Sequence, residues 1–125
     1  MLIMIASRRK EELREFIQAL ESEPDIETGL VNSGEAALVF ARTEAPELVI
    51  IDEALPDFKP FKLATELLQI NAMINTAVIT PLSDEDFHEQ SEGLGILLAI
   101  ASPPGREDAQ AVIEKLRGLY PAGRS

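Results

Sequence analysis

The run Leu48–Asp52, LVIID, constrains this chain more than any other stretch. Its apolar residues are consecutive and mostly β-branched. A half-exposed strand would alternate with polar residues and a helix would need a longer run, so the segment reads as a strand buried on both faces. A carboxylate, Asp52, ends it abruptly, and Pro56-Asp57 add turn chemistry. Asp52 therefore stands at the carboxyl end of a buried strand, the edge of an open α/β sheet where ligands and reactive groups collect. The bland alternative is a carboxylate that only caps a turn.

The rest of the chain repeats the pattern. Leu2–Ala6 (LIMIA), Ile26–Val31, Thr76–Thr80 (TAVIT) and Ile96–Ala101 (ILLAIA) read as further strands. Leu13, Phe16, Ile17 and Leu20 stand at helical spacing, and Glu23-Pro24-Asp25 stops that helix. Asn32 or Ser33 caps a second helix, with Glu35 placed for a capping box on Asn32; Ala37, Phe40 and Ala41 face inward and Ala45-Pro46 closes it. A third helix opens at Pro60 or Phe61 with Ala64, Leu67, Leu68 and Asn71 on one face. Ser83 is placed to cap a short segment, Asp84–Gly93, whose apolar face holds little beyond Phe87 and Leu94. The last helix spans Arg106–Leu119 with Ala109, Val112, Ile113 and Leu116 inward. Residues 1–119 are expected to form one domain, with Tyr120–Ser125 as a frayed tail.

Strands alternating with helices over short links imply an α/β fold with a parallel sheet covered on both faces. Right-handed crossovers then favour a doubly wound five-stranded order, 2-1-3-4-5, with its switch point between strands one and three. That order brings Ser7 and Arg8 beside Asp52 in one crevice. Thr80 and Ser102 end strands four and five on the same edge.

Composition excludes several chemistries. The 125 residues contain no Cys and one His, His88, so thiolate catalysis, disulfides and His-rich metal sites are out. His88 and the acidic run Asp84–Asp86 with Glu89 read as a solvated helix surface. A net charge of −11 opposes binding to nucleic acid or anionic membrane and suits a partner with a basic surface. No apolar run is long enough to span a bilayer. The opening MLIMIASRRK reads as a strand rather than a secretory signal, and a cytoplasmic protein is expected.

These residues together resemble the receiver domains of bacterial two-component response regulators, which have a flavodoxin-like (βα)5 fold. The resemblance covers nearly the whole chain. It makes Asp52 the phospho-acceptor position and Pro56 the proline of the following loop. Thr80 takes the place of the switch hydroxyl, Gly95 that of the glycine before strand five, and Pro103 that of a proline that commonly follows a cis peptide bond. The departures are as specific. The family's acidic pair, which with the phospho-acceptor holds Mg²⁺, is replaced by Ser7 and Arg8. The switch lysine is replaced by Ser102, and the aromatic switch residue by Ala99. The polar residues usual just before that aromatic are Leu97 and Leu98, and a family glycine is Pro60.

With two of three carboxylates missing, Mg²⁺ is expected to bind weakly, through Asp52 at most. Glu53 points to the other side of its strand. Glu11 or Glu12 reach the site only if their loop folds back. Two readings of Arg8–Lys10 stand open: a solvated basic turn, or a guanidinium from Arg8 that stands in for the cation beside Asp52. The resemblance implies a signalling module rather than an enzyme. Its partners would be a histidine kinase or an adaptor, and a homodimer could form on the face of helix four, strand five and helix five. The missing parts point to a pseudo-receiver acting largely through protein–protein contacts. The alternative is a binder of a small anion or nucleotide on the same scaffold. It lacks a Gly-rich phosphate loop.

Overall fold

The computed structural model describes residues 1–82, 84–91, 93–94 and 96–120. Strands β1 (Leu2–Ala6), β2 (Glu27–Val31), β3 (Leu48–Asp52), β4 (Asn75–Ile79) and β5 (Ile96–Ile100) alternate with helices α1 (Arg14–Glu21), α2 (Gly34–Thr43), α3 (Pro60–Ile70), α4 (Asp84–Ser91) and α5 (Arg106–Leu119). All strand pairs are parallel and the sheet order is β2-β1-β3-β4-β5, as the alternation implied.

Strand parity divides the core in two. Ile3, Ile5, Leu48, Ile50, Ala77 and Ile79 face one side, under Phe16 and Leu20 of α1 and Val112 and Leu116 of α5. Met4, Ala6, Val49, Ile51 and Val78 face the other, under Ala37 of α2 and Leu63 and Leu67 of α3. Every residue of β3 is buried, which is why its sequence does not alternate. Leu38 and Leu63 join this core although the helical spacing did not single them out, while Leu68 is only half-buried.

Register fixes the functional edge. Ala6 lies opposite Ile51, and Asp52 lies opposite Ile79. Ser7, Asp52 and Thr80 therefore leave the sheet at nearly the same level. Thr80 stands one residue beyond β4, with its N–H donating to the Ile100 carbonyl at 2.9 Å. The Ser102–Pro103 peptide bond is cis.

Loop chemistry differs from expectation at α2. Ser33, not Asn32, is the cap, and its hydroxyl accepts from the Ala36 N–H at 3.0 Å. With the cap one residue later, Glu35 is no longer at the capping-box position. Asp57 supplies the second acceptor from the β3–α3 loop, taking the Gly34 and Glu35 N–H groups at 3.0 and 3.1 Å. Gly34 is required there, because a Cβ would stand 2.4 Å from the Phe58 ring. α3 starts on Pro60, whose missing N–H costs a first turn nothing.

The β4–β5 side is looser. The register shifts between Thr76 and Ala77, so that Leu97 has no partner across the ladder. Four of the five β5 residues are only half-buried. The helix expected over Asp84–Gly93 is Asp84–Ser91. Ser83 and Gly95 lie outside the described residues. At the other end Tyr120 closes α5, its N–H donating to the Leu116 carbonyl and its hydroxyl accepting from Asn75 Nδ2 at 3.2 Å. Residues 121–125 of the expected tail lie outside the described residues. Among the described residues, no helix is long and apolar enough to cross a membrane.

Candidate functional site

Asp52 is 1% exposed, and both its oxygens are fully engaged. Oδ2 accepts from the Ser7 hydroxyl at 2.7 Å and from Arg9 Nε at 2.8 Å. Oδ1 accepts from Arg9 Nη2 at 2.7 Å and from the Ala54 N–H at 2.9 Å. A carboxylate offers about four lone-pair positions, and four donors fill them here. The Arg9 contact is the bidentate fork that guanidinium geometry favours.

Arg9 serves as a hub. Its Nη2 also donates to Ser102 Oγ at 3.2 Å, and its Nη1 pairs with Glu12 Oε2 at 3.2 Å. Its own N–H donates to Ser7 Oγ at 3.0 Å, which fixes that hydroxyl for donation to Asp52. One side chain thus ties together the ends of β1, β3 and β5. Burial acts to raise the Asp52 pKa, but the hydrogen bonds from Arg9, Ala54 and Ser7 outweigh it and hold the carboxyl below its ordinary value. The bond to Asp52 correspondingly raises the Arg9 pKa.

Arg8, which one of the two readings made this cation, is exposed, as in the reading of a solvated turn. Its charge instead helps depress the pKa of Asp57, after the hydrogen bonds from α2. The chain bends at Arg8 just beyond β1, and it is the Arg9 side chain that comes back over Asp52. Glu12 does fold back, but it meets the outer side of Arg9 rather than Asp52. Glu11 pairs with Arg14.

Thr80 does not join this cluster. Thr80 is 3% exposed, and its hydroxyl donates to Glu53 Oε2 and accepts from the Leu82 N–H at 3.1 Å. Glu53 lies on the opposite side of the chain from Asp52, as strand parity requires, and there it is Thr80's acceptor. Ala99, opposite Val78 in β5, lines a cleft of about 300 Å³ with Thr80, Leu82 and Ser102. His88 is exposed on α4.

A divalent cation of the Mg²⁺ kind needs several oxygen ligands, usually including free carboxylate lone pairs. Asp52 has none free, Ser7 points its proton at Asp52, and the Arg9 guanidinium lies against both carboxylate oxygens. Among the described residues no group of three or more His, Cys, Asp or Glu side chains could hold a metal. The donor set does not fit such an ion.

No protein-family model and no curated protein matches the chain. Solved structures do. A CheY-like response regulator receiver domain from Methanospirillum hungatei superposes with a TM-score of 0.81 at 21% identity, covering 98% of each chain. A NarL signal receiver domain from Mycobacterium tuberculosis gives 0.80 at 15% identity, over 94% of this chain and 96% of that one. The chemotaxis response regulator CheY4 of Vibrio cholerae gives 0.78 at 12% identity, over 92% and 97%. These neighbours are response regulator receiver domains, and the chain shares their fold over almost its full length.

Proposed function

We propose that this chain, built on the receiver-domain fold, is a signalling module in which Asp52 is a fixed structural carboxylate and output passes through protein–protein contacts. The observation that carries this reading is the saturation of Asp52 by Arg9, Ser7 and Ala54. Phosphoryl transfer to a carboxylate needs a free lone pair in line with the phosphorus and a cation that neutralises the equatorial oxygens. Here the lone pairs are consumed, and the cation is tethered to the acceptor instead of to the incoming group. Ser102 offers a hydroxyl, already in contact with Arg9, where a lysine would clamp a phosphoryl group. Mg²⁺ plays no part in this reading.

The transmission parts are altered in the same sense. Thr80 is held by Glu53, and Ala99 has no ring to follow it. A histidine kinase or adaptor would then recognise one standing conformation rather than a phosphorylated one. The half-buried apolar residues of β5, with α4 and α5, offer a face for a homodimer or an adaptor. Nucleic acid and membrane are not partners of this domain, and it is not an enzyme.

Intact-mass spectrometry after incubation with acetyl phosphate and Mg²⁺, beside an Asp52→Asn control, tests the proposal. No phosphoryl adduct is expected on either protein. An adduct on the wild type that the control lacks would sink it.

A further inference from the structure

Two adjoining clefts open along the β2 edge, away from the Asp52 cluster. One, of about 460 Å³, lies between α1 and β2, with the fully buried Ile5 at its floor and Ile17 in its wall. The other, of about 540 Å³, opens at the carboxyl ends of β1 and β2, where Arg8 and Asn32 line it. Lys10 and Leu30 line both, so the two form one groove with a basic end and a mixed body, in which Ile17 and Leu30 stand beside Glu11, Arg14 and Glu21. Each volume falls in the range of small-molecule sites.

The charges at this groove run against the rest of the chain. The protein carries −11, and of the two acids that line the groove Glu11 is paired with Arg14, while Glu21 keeps its charge and accepts from the Thr28 hydroxyl; Glu12, next in the chain to Glu11, is paired with Arg9. The side chains of Arg8 and Lys10 make no hydrogen bond or ion pair among the described residues. Arg8 is near enough to Asp57 to lower its pKa, but that carboxylate is turned to the N–H groups of α2. The first turn of α2 has its donors taken by Asp57 and Ser33, so it adds none to the groove. Two cations without an ion-pair partner among the described residues, next to the apolar side chains of Leu30 and Ile17, match a dianionic head on a ring-sized body.

We propose that this groove binds a small phosphate monoester of nucleotide size, with the phosphoryl group between Arg8 and Lys10 and the ring against Leu30 and Ile17. The proposal is independent of whether Asp52 accepts phosphate. It gives the domain an input that needs no phosphorylation. Ser7 lines the basic end of the groove and donates to Asp52, and Arg9 lies between Arg8 and Lys10 in the chain. A ligand gripped by Arg8 and Lys10 holds the same loop that carries the Arg9 clamp.

The test is an amide NMR titration of the full chain with adenosine monophosphate, run in parallel with inorganic phosphate. Saturable shifts are expected at residues 8–10 and 28–32. The double variant Arg8→Ala/Lys10→Ala should weaken binding about tenfold or more, whereas Arg42→Ala, elsewhere on α2, should leave it unchanged. Asp52→Asn should still bind, which separates this site from the phospho-acceptor position. Absence of saturable shifts at millimolar nucleotide, or shifts that persist in the double variant, would overturn the site. Inorganic phosphate binding as tightly as the nucleotide would overturn the role given to Leu30 and Ile17.

Discussion

Asp52 and Glu53 are neighbours in the chain and opposites in the structure. Asp52 faces the α1–α5 side, is almost wholly buried, and accepts four hydrogen bonds, two from one guanidinium. Glu53 faces the other side, is half-buried, and accepts from the Thr80 hydroxyl. Around Asp52 the strands are fully packed; beyond Glu53 the sheet passes through a register shift into a half-buried β5. The contrast teaches where this domain is held and where it can yield. A bidentate ion pair with one buried member has no low-cost alternative geometry, because separating it leaves the Asp52 carboxylate buried without its counter-charge. A single neutral-donor bond from Thr80 to the half-buried Glu53 can be given up at a cost of about 1 kcal/mol.

The largest effect should come from breaking the held side. Arg9→Ala leaves Asp52 buried without its counter-charge and should destabilise the fold by about 3 kcal/mol, read by urea or guanidinium unfolding. Adding Asp52→Asn to Arg9→Ala should recover part of that loss, because no charge is then stranded. If the double variant is as unstable as the single one, the cost lies in Arg9's bonds to Ser102 and Glu12 rather than in Asp52.

Acid sharpens the same point with a smaller effect. The Asp52 pKa in the folded protein lies below the ordinary 3.8, so the folded state binds fewer protons than the unfolded chain as pH falls. The stability this group contributes is full above the ordinary value. It is lost as pH drops below that value and through the folded one. Unfolding free energies measured down an acid series should therefore fall more steeply in the wild type than in Asp52→Asn. Parallel slopes would show that the clamp does not bias Asp52 toward its charged form. Asp57 contributes with the same sign, and a parallel Asp57→Asn series separates the two.

The smallest effect belongs to the yielding side. Glu53→Ala frees the Thr80 hydroxyl and should cost about 1 kcal/mol. Hydrogen exchange should quicken at Leu82 and in β5 while the β1 and β3 amides keep their protection. Equal quickening across all four segments would show that the two sides are one cooperative unit.

Much of this architecture was legible in the chain. The unbroken apolar run of Leu48–Ile51 marked a strand covered on both faces, and the structure buries all of β3. The spacing of Ala109, Val112, Ile113 and Leu116 marked the buried face of α5, and all four are buried. The elements whose position depends on few contacts were harder. α4 has a thin apolar face, and the limits of β4 and β5 each differ by a residue from their apolar runs. Helix capping was half legible. Ser33 is a residue type that caps, but Asp57 reaches α2 from another loop, and no local pattern announces that.

The sequence by itself determined the order of elements, the sheet order that follows from right-handed crossovers, and the placing of Asp52 at the edge of a buried strand. Those depend on periods of two and 3.6 residues and on chirality, which act locally or through simple connection rules. Only the tertiary structure decided that Arg9 rather than Arg8 meets Asp52 and that Glu53 takes the Thr80 hydroxyl. It also decided that Arg8 and Lys10 stand beside a groove without an ion-pair partner among the described residues. Arg9 and Asp52 are 43 residues apart. Whether two such side chains meet depends on tenths of an ångström in where separate loops leave the sheet, and only packing of the whole fold fixes that.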